Sequence, residues 1–140
     1  MGRSLNVTRK KLFLMILAVS LTIWIVINRP GRFGINSFGF TVYSAIPFPY
    51  VDLKIHTNGW PTLREKSHYL AYEEIGDLLE ENPEVIILGI GHSNSFKVDE
   101  KILGIECPII EVLNTPKAIA RFNELRSKGV KVAAIIHSTC

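Results

Sequence analysis

At 140 residues and a formal net charge of +3, the chain has room for one domain with a core able to fold without disulfide or metal support. The positive charge is confined to the start: Arg3, Arg9, Lys10, Lys11, Arg29 and Arg32 all precede Phe33, and from there on 10 Lys and Arg face 13 Asp and Glu, a balance of −3. A body of that sign presents no broad electropositive face, so nucleic acid is excluded as an expected partner.

Residues 1–11 form a basic tail, and residues 12–28 read as one transmembrane helix. The run LFLMILAVSLTIWIVI has only Ser20 and Thr22 as polar members, and both can bond back to helix carbonyls. Its 16 residues extend about 24 Å as a helix, short of a hydrocarbon core of about 30 Å, a gap that thinning and flanking basic side chains close. A cleaved leader is disfavoured because bulky Ile25, Val26 and Ile27 stand where small residues are needed. The alternative, a buried core helix, fits poorly with an apolar surface that runs all the way round. Trp24 suits an interface position, and the excess of basic residues before the span favours an inner N-terminus and an extracytoplasmic domain.

Residues 29–34, with Pro30, Gly31 and Gly34, read as a linker to a domain spanning residues 35–140. Phe38, Phe40 and Val42 alternate as a first strand over residues 38–44, after which Pro47 and Pro49 interrupt the chain. Val51, Leu53 and Ile55 alternate with Asp52, Lys54 and His56 up to Asn58-Gly59, a hairpin signal whose return strand covers residues 60–64, with Pro61 tolerable at an edge. From Tyr72 the period becomes helical, with Ile75, Leu78 and Leu79 inward and Glu73, Glu74, Asp77, Glu80 and Glu81 toward water, until Asn82-Pro83.

Residues 84–90 and 109–113 are apolar without alternation, as buried parallel strands are, and residues 99–103 make a short helical turn between them. The last helix has Thr115 as its expected N-cap, Pro116 in its first turn, a core face of Ala118, Ile119, Phe122 and Leu125, and Gly129 past its end. A final apolar strand follows at residues 131–136. The predicted fold is α/β: a C-terminal parallel βαβαβ unit with right-handed crossovers, packed with an N-terminal antiparallel hairpin and preceded by one transmembrane helix.

Ligands of such sheets gather at the carboxyl ends of the strands. Three segments meet there: Gly89, Gly91, His92, Ser93 and Asn94; Thr115 at a helix N-terminus; and His137 with Cys140. Glycine-bearing turn and helix N-terminus together could hold an anion, although the plainer reading is a tight turn and a cap. The third glycine of a dinucleotide fingerprint and the lysine of a P-loop are both missing. His92, His137 and Cys140 have the chemistry of metal ligands, or of a thiol with its base, but neither a fourth ligand nor an orienting carboxylate stands out, so no metal, cofactor or catalytic residue is assigned.

A Cys107–Cys140 disulfide is disfavoured, because the two lie at opposite edges of the sheet. His56 and His68 read as surface or capping residues, and the acidic run over residues 73–84 as a solvated face. Residues 99–103 and the Phe48-Pro49-Tyr50 turn are candidate apolar contacts for a protein partner.

Several of these features recur in combination: Asn58-Gly59, Ser67-His68, the stretch from Leu79 through Asn82-Pro83 to Gly89 and Gly91, Thr115-Pro116 with Ala118, Phe122-Asn123 with Leu125, Gly129 with Val132-Ala133-Ala134, and the ending His137, Thr139, Cys140. From Phe33 on, the chain resembles the Mth-nine-three-eight domain family, domain of unknown function four-nine-eight. The resemblance implies a compact α/β domain without an established enzymatic activity, and relatives that include a mitochondrial complex I assembly factor and an adipogenesis-associated protein. Asn123, next to Phe122 on the packed helix, is expected to bond a neighbouring loop and not a ligand. The N-terminal helix is additional to the compact family domain. The expected role is a single-pass, membrane-anchored interaction or assembly domain that touches lipid through its first helix and an unidentified protein through its body. The alternative is a small-molecule or metal-dependent enzyme built on the sheet-edge loops.

Overall fold

A computed structural model describes residues 2–139. Helix α1, Gly2–Ile27, is longer than the apolar run because the basic tail is helical too, and its most apolar window is wholly unburied. Its last turn is fastened to the domain. The Trp24 indole N–H donates to Ala45 O (3.0 Å), and the fully buried Asn28 donates from Nδ2 to Trp24 O (3.1 Å) while its Oδ1 accepts from Ile35 N (2.9 Å). Residues 29–34, expected as a linker, are drawn into the fold: Gly31 N donates to Ser44 Oγ, Ser44 N donates to Arg32 O, and Phe33 is core.

Three short strands follow as an antiparallel sheet, β1 (Phe33–Ser37), β2 (Phe40–Tyr43) and β3 (Ile46–Pro49), in that order. Only the middle one was foreseen. Pro47 and Pro49, read as an interruption, lie in β3, an edge strand whose outward side has no ladder bond to lose. Ser44 and Ala45 connect β2 to β3 with φ of 53° and 64°, a two-residue turn that glycine and asparagine normally occupy. Each such residue costs on the order of 1 kcal/mol or more, and the bonds from Trp24, Gly31 and Arg32 hold the turn against that strain.

The main sheet contains β4 (Asp52–Ile55), β5 (Pro61–Arg64), β7 (Val85–Ile90), β9 (Ile109–Leu113) and β10 (Val132–His137), ordered β5-β4-β10-β7-β9. The final strand is central: it runs parallel to β7 and antiparallel to β4, joining hairpin and βαβαβ unit into one sheet. Between these strands, β6 (Tyr69–Leu70) pairs in parallel with β8 (Lys97–Val98), a small ladder with no clear sequence signal. The helix expected from Tyr72 is a 3-10 turn, Tyr72–Ile75, running into α2, Gly76–Glu80, and Asp99 caps α3, Glu100–Leu103.

Each face of the sheet has its own core. On one, Leu53, Ile55, Val85, Ile87, Ala134 and Ile136 meet α4 (Thr115–Ser127) through Ala118, Ile119, Phe122 and Leu125, and Phe33 and Tyr43 close the layer from the small sheet. On the other, Ile86, Leu88, Ala133 and Ile135 lie under Leu70, Ile75, Leu78, Phe96 and Ile102. Burial on both sides is why β7 and β10 read as unbroken apolar runs. Asn123, expected to bond a loop, bonds a strand: it accepts from Phe33 N (2.9 Å) and donates to Phe33 O (2.8 Å), so α4 holds β1 through side-chain amide bonds.

The cap of α4 differs from expectation. Asn114, not Thr115, is the N-cap, its side chain accepting from Lys117 N at 3.0 Å, and Gly129 ends the helix with φ of 75°.

Candidate functional site

Three strand ends converge where the sequence placed them. Gly91 and His92 leave β7, Thr115 follows β9, and His137 ends β10 opposite Ile90. Thr115 joins all three: its buried hydroxyl donates to His137 O (2.5 Å) and accepts from Gly91 N (3.0 Å), while its own N–H donates to Gly91 O (2.9 Å). Gly89 lies under this junction, where an added Cβ would sit 3.2 Å from Ala118 Cβ and 3.3 Å from Thr115 Oγ1. Gly91 has φ of 90°, a conformation for which glycine is suited.

This geometry bears on anion binding. Thr115 N serves Gly91 O, Pro116 has no N–H, Lys117 N serves Asn114 Oδ1 and Ala118 N serves Asn114 O. The first-turn amides of α4 and the Gly91 amide are thus committed within the protein. Ser93 and Asn94 are exposed, Asn94 with φ of 56°, and His92 packs against Phe38 with ring centroids 5.6 Å apart. Cys140 lies outside the described residues. Cys107 is an exposed free thiol at the amino-terminal edge of β9, beside a groove lined by Tyr72, Leu79, Pro83 and Ile105. Replacing Thr115 with valine keeps the shape but strands the Gly91 amide, and is expected to lower stability by about 1–3 kcal/mol in urea titration, with faster hydrogen exchange at Gly91.

The chemically densest part of this edge is on the opposite face, and the sequence reading missed most of it. The hairpin register sets Asp52 across from Arg64, and the β4–β10 register brings His137 beside both. Asp52, fully buried, accepts from His137 Nδ1 (2.7 Å), from Arg64 Nη1 (3.2 Å) and, through its other oxygen, from Ser138 N (3.1 Å). A carboxylate can only accept, so Nδ1 carries the His137 proton. Arg64, also buried, donates from Nε to Glu74 Oε2 (2.7 Å) and from Nη2 to Ser67 Oγ (2.8 Å), Tyr69 O (2.7 Å) and Glu74 Oε1 (3.1 Å). Phe96 stacks on His137 at 4.8 Å and lies 5.1 Å from the guanidinium carbon, and exposed His68 meets His137 edge-on at 5.3 Å.

The acidic run is therefore not simply a solvated face. Glu74 shares Arg64, Asp77 pairs with Lys54, Glu84 accepts from Lys131 N, and Glu81 ties α2 to the hairpin through His56, Thr57 N and Thr57 Oγ1. Partial burial works to raise the Glu74 carboxyl, but the Arg64 guanidinium and the Ala71 N–H outweigh it and hold the group below its ordinary 4.5. Glu81 is lowered likewise, burial being overcome by bonds from Thr57 and His56. A depressed folded-state value means stability that is fully present above the unfolded carboxyl's pKa and lost as pH falls through the folded one. Urea midpoints are expected to hold from neutral pH down to the ordinary carboxyl value near 4.5 and then decline. Glu74→Gln, already uncharged, is expected to flatten that decline.

An α/β sheet with a hairpin strand, a central final strand and a small antiparallel sheet on its helical face defines a compact Mth938-like domain. The family model described as protein of unknown function (DUF498/DUF598) matches residues 39–137, and the chain belongs to that family. Among solved structures, MT938 is 37% identical with a TM-score of 0.68, over 78% of this chain and 98% of that one. A conserved hypothetical protein from Pyrococcus horikoshii OT3 is 25% identical, again with a TM-score of 0.68, covering 78% and 99% of the two chains. An outer membrane protein from Bartonella henselae shares the fold at 21% identity and a TM-score of 0.62, over 79% and 98%.

Proposed function

We propose that this chain is a membrane-anchored docking domain, held to a bilayer by α1 and presenting its α/β body to a protein partner as an assembly factor does. The observation that carries the reading is the first helix: over Arg3–Ile27 its apolar window has a mean hydropathy of 2.1 and none of it is buried by the domain. So much apolar surface left in water would be a severe liability, and a bilayer is the environment that removes it. A docking role for the body is supported by how its edge is built. Arg64 donates to both Asp52 and Glu74, and the first-turn amides of α4 bond its own loops, which rigidifies a scaffold and leaves little for a reacting group.

Alkaline carbonate extraction of membranes containing the full chain tests the anchor. Retention in the pellet is the expected result, and release into the supernatant overturns it. The enzyme alternative draws on the Asp52–His137 pair, which has the orientation of an acid–base couple. Stoichiometric metal in the purified protein that disappears in both His137→Ala and Cys140→Ala would favour that alternative over docking.

A further inference from the structure

The anchor is joined to the domain by a fixed coupling and not by a slack tether. Trp24, three residues before the end of α1, is bonded to Ala45 in the β2–β3 turn. Asn28 is buried with both ends of its amide used, and Gly34 packs so closely that an added Cβ would fall 1.9 Å from Asn28 Oδ1. The turn that receives Trp24 has two residues in the left-handed region, held there by the same contacts. A linker meant only to tie would need none of this.

The length of the helix then places the domain. From Leu12, just after the Arg9-Lys10-Lys11 cluster, to Trp24, the helix rises about 18 Å, well short of a hydrocarbon core of about 30 Å. Since Ala45 is at the level of Trp24, the β2–β3 turn cannot stand clear of a bilayer that the helix crosses. The residues flanking the joint suit that position: Ile35, whose N–H bonds Asn28, is 45% exposed, and Ile46, next to Ala45, is 53% exposed. Both are exposed apolar residues beside the bonds that join the small sheet to the end of the helix.

Building on the anchor reading, we infer that the domain is seated in the lipid interface by the joint end of its small sheet, with Ile35 and Ile46 as a collar in contact with acyl chains. The occupant of this surface is lipid, because it adjoins the apolar helix and makes up the span that the helix lacks. Phe38 and Tyr50 belong to the other end of the small sheet, and Leu103 lies on the far face of the main sheet, so all three are excluded from the seat.

The test uses the full chain with Cys107→Ser and Cys140→Ser, carrying a single cysteine in Ile35→Cys, Ile46→Cys or, as a control, Leu103→Cys, each labelled with the environment-sensitive dye NBD. The proteins are reconstituted into phosphatidylcholine vesicles with or without brominated acyl chains. Expected is blue-shifted emission at 35 and 46 that brominated lipid quenches, with neither effect at 103. Water-like emission at 35 and 46 in protein that resists carbonate extraction overturns the seat and leaves the anchor standing. Blue-shifted emission that brominated lipid does not quench means protein covers the collar, which also overturns it. Release by carbonate overturns the anchor itself.

Discussion

Arg64→Met is expected to destabilise the full chain in detergent micelles by about 3–5 kcal/mol in urea titration, the range for removing one partner of a buried ion pair. The loss arises from what remains behind. Asp52 is wholly enclosed, and among the described residues it is then left with His137 Nδ1 and Ser138 N to balance a buried charge. Glu74 loses two bonds, Ser67 Oγ loses the Arg64 donor and Tyr69 O keeps only the Ser67 hydroxyl of its two donors, so the segment from β5 to the 3-10 turn loosens as well. Adding Asp52→Asn to Arg64→Met removes the stranded charge and is expected to recover part of the loss. Single and double variants that simply add would show that Arg64 and Asp52 are not coupled.

The same cluster shows where sequence reasoning reaches and where it stops. Hairpin, parallel strands and last helix were legible because each is written locally: Asn58-Gly59 at a turn, uninterrupted apolar runs in strands covered on both faces, Pro116 and Gly129 at the helix ends. Asp52 was visible only as a polar member of an alternating strand, on the side where His56 read as a surface or capping residue. The structure buries that face near the sheet edge under Phe96 and the Arg64–Glu74 pair. One signal was available. A hairpin closed at Asn58-Gly59 sets Asp52 opposite Arg64, and a cross-strand pair of opposite charge beside a doubly buried central strand is a candidate internal ion pair.

Strands β1 and β3 were illegible for a different reason. β1 has glycine at its second position and β3 consists half of proline, so their short alternations carry little strand signal, and both exist through pairing to β2 and, for β1, through the amide of Asn123. The loops at the sheet edge were located correctly as a place, but their use was not written in residue types. Thr115 has the identity of a cap, yet its hydroxyl joins β7 to β10, because Asn114 one position earlier already caps the helix.

Phe122 is where the helical layer, the small sheet and hence the joint to α1 meet, and Phe122→Ala is expected to cost about 3–5 kcal/mol. Its ring is fully buried, 5.2 Å edge-on from Phe33 and 6.2 Å from Tyr43, and those two are 4.8 Å apart. Truncation removes the shared member of this aromatic trio and leaves a cavity beside a small sheet that is bonded to α4 through Asn123 and Phe33 and to the margins of the main sheet through Gly39 N to Ser138 O and Tyr43 Oη to Gly59 O. The damage should therefore be uneven. Hydrogen exchange of the Tyr43 and Ser44 amides is expected to accelerate more than that of Ile87 and Ala134, whose ladder in the main sheet persists. Phe122→Leu, which retains much of the volume, should cost less and keep the two sheets in step. Uniform acceleration across both sheets in Phe122→Ala would mean that they open as one unit, and that α4 does not couple the small sheet to the main one through this ring.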